Sequence, residues 1–241
     1  MTPAAACRAL LRSFGPQGWW PLTPPGARRP RYHPGRCGPL TERQALEVCL
    51  GAILTQNTAW TNVEKALASL HRAKAVDARR ILRMPPRRLQ ALIRSSGFFV
   101  QKAKKLKNFA RRLLSERAPL PRWLGSPLRD IRGELLSING VGPETADSIL
   151  LYAANRPVFV VDAYTRRVGE RLGWLEPSMR YEDVRGFFES RLPHSPRVYQ
   201  EMHALLVELG KGTCRKRPFC ARCPLRRRCP FGMEVLHGEK A

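Results

Sequence analysis

Apolar side chains recur along this chain three and four residues apart, and no stretch alternates as paired strands would. The pattern predicts a mostly apolar helix over 43–56 (RQALEVCLGAILTQ), buried on most sides. An amphipathic helix over 60–73 follows, its stripe formed by Trp60, Val63, Leu67 and Leu70. Shorter helices are expected at 78–83, closed by Pro85-Pro86, and at 87–95, closed by Gly97. A strongly basic helix covers 100–116 (QKAKKLKNFARRLLSER), with Ala103, Leu106, Phe109, Ala110 and Leu113 on one face. Its cations read either as a solvated face or as phosphate contacts. Further helices are expected at 128–138, 143–154, 163–172, 181–190 and 196–209. Residues 15–40, rich in Pro, Gly and Arg, read as irregular chain, with Trp19-Trp20 packed against something. The fold class is all-α, with short connections and no internal repeat.

Composition adds a partner to this picture. The 241 residues are 43% hydrophobic, enough for a packed interior. Lys and Arg number 43 against 19 Asp and Glu, a net charge of +24. Such an excess repels itself unless a polyanion screens it, and nucleic acid is the commonest such partner. An acidic membrane surface is the competing reading, but no long amphipathic basic helix ends in a hydrophobic anchor. No window holds the roughly 18 uninterrupted apolar residues of a membrane span. The first residues, MTPAAACRALLRSF, carry Arg8 and Arg12 inside their apolar run, unlike a signal-peptide core. These features lead to the expectation of an intracellular protein, cytoplasmic and nucleoid-associated. In a reducing compartment seven cysteines do not form a disulfide framework. Cys7, Cys37 and Cys49 are scattered, whereas Cys214, Cys220, Cys223 and Cys229 fall within 16 residues. Four thiolates at that spacing suit a zinc ion or an iron–sulfur cluster.

The most informative stretch is 131–173. Two helices, 131–138 and 143–154, are separated by Asn139-Gly140-Val141-Gly142. The glycines permit positive φ and close backbone approach, and Pro143 suits the first turn of the second helix. Exposed N–H groups at that helix start can seat a phosphate oxygen, a contact that positions DNA without reading sequence. Taken alone, the turn also reads as an ordinary tight connection. Downstream, Val160-Val161-Asp162-Ala163-Tyr164 and Arg166-Arg167-Val168 open the next helix, where Asp162 suits an N-cap.

Together these residues resemble the helix–hairpin–helix DNA glycosylases related to endonuclease III, in which L-x-G-V-G-x-x-T-A is followed by V-D-x-x-x-x-R. The resemblance implies a two-lobed fold. A six-helix domain would span 39–156 with its hairpin at 139–142. The second lobe would combine 1–38 with 157–241 and carry a cysteine loop at 214–229. It also implies a monomer acting on double-stranded DNA that contains a damaged base, with Gly140, Gly142, Thr145 and Arg166 contacting DNA. The family's catalytic aspartate maps onto Asp162. A carboxylate beside the sugar stabilises the oxocarbenium-like charge left as the base departs, and can orient the attacking water. The capping role is compatible, because N–H groups hold a carboxylate in its charged form.

Bifunctional members carry a lysine at G-V-G-x-K-T-A that forms a Schiff base and cleaves the strand. Here Glu144 holds that catalytic position, and a carboxylate forms no imine. The departure implies a monofunctional enzyme that leaves an abasic site, unless another lysine such as Lys211 substitutes. A narrower resemblance, over residues 15–211, is to the endonuclease III-type 3-methyladenine DNA glycosylases. It is carried by LGAILTQNTAW (50–60), SSGFFVQKAKKL (95–106), GVGPETADSILLYA (140–153) and Trp19-Trp20-Pro21. It implies that Trp60, Trp19 and Trp20 line a base pocket and stack on an alkylated, often cationic purine, with Lys211 nearby. Each tryptophan also reads as core packing. Gln56 sits where relatives fill the gap left by a flipped base, and also reads as an amide bracing backbone between helices. Many endonuclease III relatives hold a [4Fe–4S] cluster at C-x6-C-x2-C-x5-C, so the resemblance favours that cofactor over zinc. This chain has one residue fewer in the first gap. Seven cations between the cysteines, Arg215, Lys216, Arg217, Arg222 and Arg226–Arg228, would be presented to phosphates by a ligated loop. The remaining readings are an enzyme for oxidised or mispaired bases and a non-catalytic lesion-binding protein.

Overall fold

Caps and prolines set where helices begin in the computed structural model, which describes every residue except 117, 237 and 239–241. In chain order the helices are α1 (Pro3–Phe14), α2 (Glu42–Thr55), α3 (Trp60–Arg72), α4 (Ala78–Arg83), α5 (Pro86–Leu92), α6 (Phe99–Ser115) and α7 (Leu120–Leu124). They continue with α8 (Leu128–Ser137), α9 (Pro143–Ser148), α10 (Ala163–Arg171), α11 (Tyr181–Glu189), α12 (Pro196–Gly212) and α13 (Pro230–Leu236). A π-helical turn, Ile149–Ala153, extends α9. Among the described residues there is no strand, only an isolated antiparallel bridge between Leu22 and Arg31. No helix among them is long and apolar enough to cross a membrane. The helices expected from periodicity all form, and α1, α7 and α13 are additions. Helix α1 begins where Thr2 accepts the Ala5 N–H and Pro3 fills the first turn.

The chain clusters into two units. One comprises Trp20–His33 and Cys37–Arg156, the other Met1–Trp19, Pro34–Arg36 and Pro157–Ala241. Of the first 38 residues, 1–19 and 34–36 cluster with 157–241, and 20–33, 37 and 38 cluster with the hairpin-bearing chain. The cause is local: Thr23 donates its N–H and its hydroxyl to Oε1 of buried Glu47, at 3.0 and 2.6 Å. His71 meets the other oxygen of Glu47 at 3.1 Å. Trp20 lies so close over α2 that a Cβ on Gly51 would fall 3.1 Å from its Nε1.

In this hairpin-bearing unit α2 is the central rod. A capping box between Thr41 and Gln44 starts it, and every residue from Ala45 to Leu54 is buried. Each fully covered Leu or Ile contributes about 1.5–3 kcal/mol through removal of apolar surface from water. In the cysteine-bearing unit α10 packs against α12. Contact is close because Gly210 lacks a side chain: its Cβ would fall 2.5 Å from Cδ1 of Tyr164. Phe159 stacks on Phe188 with centroids 4.3 Å apart, and Tyr199 meets Phe159 edge-on at 5.7 Å.

Candidate active site

The hairpin is held rigid from below. Arg132 on α8 binds Asp147 on α9 through two parallel bonds of 2.7 and 3.1 Å. Asp147 is fully buried, so the paired guanidinium is what makes its charge tolerable there. Within the turn, Gly140 has φ +99°, and a Cβ would fall 2.3 Å from Cγ of Lys105. No larger residue fits without displacing that lysine stem. Gly142 differs: it caps α9 at φ −95° and faces open space. The turn's carbonyls are occupied, Asn139 by Asn108 at 3.1 Å and Gly140 by the Gln56 amide at 3.0 Å. Gln56 also donates to Thr145 Oγ1 at 2.9 Å and accepts from Lys105. Its side chain is thus placed as a brace between α2 and the hairpin, the second of the two sequence readings. Thr145 is buried and Glu144 exposed.

The basic helix α6 is neither simply solvated nor simply phosphate-facing. Lys102 is 2% exposed and donates to the carbonyls of Leu54 and Ser96, at 2.8 and 2.6 Å. Desolvation pulls its ammonium down to about 8, with Lys105 adding repulsion. Lys107 donates to the carbonyls of Leu82 and Met84, at 2.8 and 2.6 Å. These lysines close the ends of neighbouring helices. At the start of α6, Phe98 is 63% exposed and holds a left-handed backbone, φ 44°. Sequence reasoning missed it. The signal was present as a paired aromatic, Phe98-Phe99, directly after Gly97 and outside the apolar stripe. A bulky residue with positive φ stores strain, a feature concentrated at functional sites.

The adjacent tryptophans separate. Trp20 joins Trp60 edge-on, with centroids 5.1 Å apart at 88°, and tilts against Tyr152 at 5.3 Å. Trp20 and Trp60 are only 5% and 6% exposed, and Trp60 Nε1 donates to Glu64 at 2.8 Å. Trp19 belongs to the cysteine-bearing unit, half-buried, with Lys211 Nζ 5.2 Å above its ring.

Asp162 caps α10, its Oδ1 accepting the Thr165 N–H at 2.7 Å. Its other oxygen faces His203 Nε2 at 3.7 Å, and the carboxylate side chain keeps 14% exposure. Burial pushes the His203 imidazole below its usual value, Asp162 pulls it back up, and Lys211 adds to the depression. A fixed carboxylate backed by an imidazole that resists protonation is suited to stabilising positive charge on its open side. Arg166 donates to the Met179 carbonyl at 2.9 Å, so its guanidinium already has an internal partner. Arg167 holds the carbonyls of Gly210 and Cys214, each at 2.9 Å.

The four C-terminal cysteines are electrostatic neighbours. Burial pushes the thiols of Cys220, Cys223 and Cys229 up, Cys223 to about 11, and negative charge on Cys214 raises each further. Mutual repulsion of this kind is what a bound cationic centre relieves. Arg171 donates to Cys214 Sγ at 3.2 Å and the Gly232 N–H to Cys229 Sγ at 3.4 Å, donors that suit thiolate ligands. Among the described residues no set of three or more His, Cys, Asp or Glu is gathered so as to hold a single metal ion.

Comparison with known proteins agrees with this architecture. The chain is 41% identical over 225 residues to a candidate DNA repair glycosylase of Methanocaldococcus jannaschii, covering 92% of this chain and 93% of that protein. It is 28% identical over 213 residues to endonuclease III of Thermotoga maritima, covering 88% and 92%. Among solved structures, the 3-methyladenine DNA glycosylase of H. pylori bound to 1,N6-ethenoadenine superposes with a TM-score of 0.68 at 27% identity, covering 88% of this chain and 98% of that one. Residues 50–194, from the middle of α2 through the hairpin and Asp162, match the HhH-GPD family profile. The chain belongs to the HhH-GPD superfamily of base excision DNA repair proteins.

Proposed function

We infer that the chain is a monofunctional DNA glycosylase that hydrolyses the N-glycosidic bond of alkylated purines such as 3-methyladenine. The observation that carries this reading is Asp162: one oxygen fixed by the Thr165 N–H, the other backed by buried His203, one side open. In the proposed reaction the damaged nucleotide leaves the stack and the carbon–nitrogen bond to the base lengthens. Asp162 stabilises the growing positive charge on the sugar and orients the water that attacks it. Water supplies the oxygen on the sugar and a proton to the departing base. Glu144, exposed at the position of the family's lysine, offers no amine, which supports hydrolysis without strand cleavage.

The hairpin's Gly142 face, open to solvent, would receive a phosphate of the bound strand. Exposed Phe98 is suited to wedge into the opened duplex, a task that apolar side chains perform in DNA-bending proteins. Trp20, Trp60 and Tyr152 would give the extruded base an aromatic surface. The likeness to the H. pylori 3-methyladenine enzyme supports the choice of lesion. Cys214, Cys220, Cys223 and Cys229 would hold a [4Fe–4S] cluster. When bound, it would fix the loop and take no part in hydrolysis.

Duplexes that each carry one lesion test the reading, with base release and strand nicking scored separately. Release of 3-methyladenine without nicking, and without a borohydride-trapped adduct, is expected. Preferential release of thymine glycol or uracil would instead support the endonuclease III-like reading, which the Thermotoga maritima relative favours. A trapped covalent adduct would overturn the monofunctional assignment.

A further inference from the structure

Three buried or half-buried acids of the hairpin-bearing unit have arginine partners. Asp147 is held by Arg132, and Arg112 holds both Glu116 and Glu134. Glu64, half-buried on α3, breaks this pattern. Among the described residues its carboxylate forms no ion pair, although the chain carries a net charge of +24. Its Oε1 accepts the indole N–H of Trp60, one turn earlier on the same face, at 2.8 Å. Trp60 meets Trp20 edge-on at 5.1 Å, and Trp20 tilts against Tyr152 at 5.3 Å. An unmatched negative charge therefore sits at the edge of the rings that would receive an extruded base. Holding a carboxylate partly out of water without a cation is costly, and a ligand that brings its own positive charge removes that cost.

We propose that Glu64 is a specificity-determining residue whose carboxylate reads positive charge on the extruded base, so that the site favours cationic purines over neutral purines of the same shape. The proposal rests on the base-excision reading above and narrows its substrate. Two effects act together. The carboxylate attracts the cation directly, and by holding the indole N–H it polarises Trp60, making the ring face more attractive to a cation. Glu64 and Asp162 then have different tasks. As the bond to the sugar breaks, positive charge passes to the sugar and an N-methylated purine leaves neutral. A carboxylate beside the base thus stabilises the bound substrate more than the transition state, and contributes to recognition and not to rate. The bland alternative is a brace that only orients Trp60.

The test uses the full chain with its cysteines intact and two duplexes, followed by fluorescence anisotropy. One carries 7-methylguanine, which is cationic, and the other 7-methyl-7-deazaguanine, which is neutral with nearly the same outline. Both bases stand on 2′-fluorinated sugars that resist cleavage. The parent should bind the cationic duplex about tenfold more tightly, the order expected of one screened charge pair inside a protein. Glu64→Gln keeps an acceptor for the Trp60 N–H and loses only the charge, so its ratio should fall to within about twofold of one. The ratio cancels the general gain in DNA affinity that follows removal of any negative charge. On 7-methylguanine with an ordinary sugar, single-turnover release at saturating protein should quicken by about twofold or more in Glu64→Gln, since only the ground state loses stabilisation.

An unchanged ratio in Glu64→Gln overturns the proposal. Equal weakening on both duplexes does so too, and leaves Glu64 as a brace. A parent ratio near one also overturns it, and that measurement needs no variant to fold. Slower release from saturated Glu64→Gln would place the carboxylate in hydrolysis and would likewise overturn the recognition role. If the parent releases no base, the enzymatic reading fails, while the ratio on uncleavable sugars still decides what Glu64 recognises.

Discussion

The proposed reaction gives Asp162 a second duty beside its cap, and a single substitution separates the two. As the N-cap of α10 it accepts the Thr165 N–H at 2.7 Å, and asparagine performs that task as well as aspartate. Asp162→Asn should therefore unfold close to the parent's temperature, whereas Asp162→Ala should lose about 1 kcal/mol with the cap. The charge is a different matter. A carboxylate about 4 Å from a developing positive charge, at an effective dielectric constant near 20, stabilises it by about 4 kcal/mol. Neutralising it should slow base release by roughly 10³-fold.

His203 supplies an independent check. Its imidazole is depressed below the usual 6.5, so in acid the unfolded chain takes up a proton that the folded chain resists. Stability should therefore fall as pH drops below about 6.5. Because Asp162 is the neighbour that pulls His203 back up, the fall should steepen in Asp162→Asn. Single-turnover base release together with urea unfolding across pH reads both effects. A folded Asp162→Asn protein releasing base within about tenfold of the parent rate would refute the charge argument.

Lys102→Met keeps the buried stem but leaves the Leu54 and Ser96 carbonyls without their donor, at a cost of about 1–3 kcal/mol each, partly offset by removing a buried charge. The parent's Lys102 is depressed from 10.5 to about 8, so its contribution should grow as pH rises through that window, and urea unfolding should show no such growth in the variant. Gly140→Ala should lower thermal stability by about 1–3 kcal/mol, since its φ is +99° and Lys105 occupies the space, while Gly142→Ala should cost under about 1 kcal/mol. Equal losses at the two glycines would contradict their assigned roles. Phe98→Ser, at a 63% exposed position, should change stability by no more than about 0.5 kcal/mol. It should nonetheless slow base release from duplex more than from single-stranded DNA, and equal rates on both would reject the wedge.

Periodicity exposed most of the fold because burial is one-sided: Leu106, Phe109, Ala110 and Leu113 recur on α6 as the core requires. Helix α1 escaped because Arg8 and Arg12 interrupt its apolar run, although Thr2-Pro3 signals a helix start and the two arginines share the exposed face. Asp162 was legible as a cap from its place ahead of α10, and as a candidate catalytic carboxylate through the V-D-x-x-x-x-R resemblance. The separation of Trp19 from Trp20 was not, because only contact partners decide which unit claims each ring. Gln56 shows the same limit: its amide can fill an opened duplex or brace Gly140 and Thr145, and spacing fits both.

The cations carry that lesson furthest. A net charge of +24 suggests a basic surface, yet Lys102, Lys107, Arg156, Arg166, Arg167 and Arg171 all donate to backbone carbonyls within their own units. Long basic side chains fold back readily, because their apolar stems pack along the core while the head reaches an unsatisfied carbonyl. Such groups rigidify the scaffold around the hairpin and α10 but release no counterions when DNA arrives. The charge that can grip phosphate is the remainder, on side chains that do not already donate to the protein's own carbonyls. The salt dependence of binding should therefore count those engaged guanidinium groups and fall well short of what the composition implies.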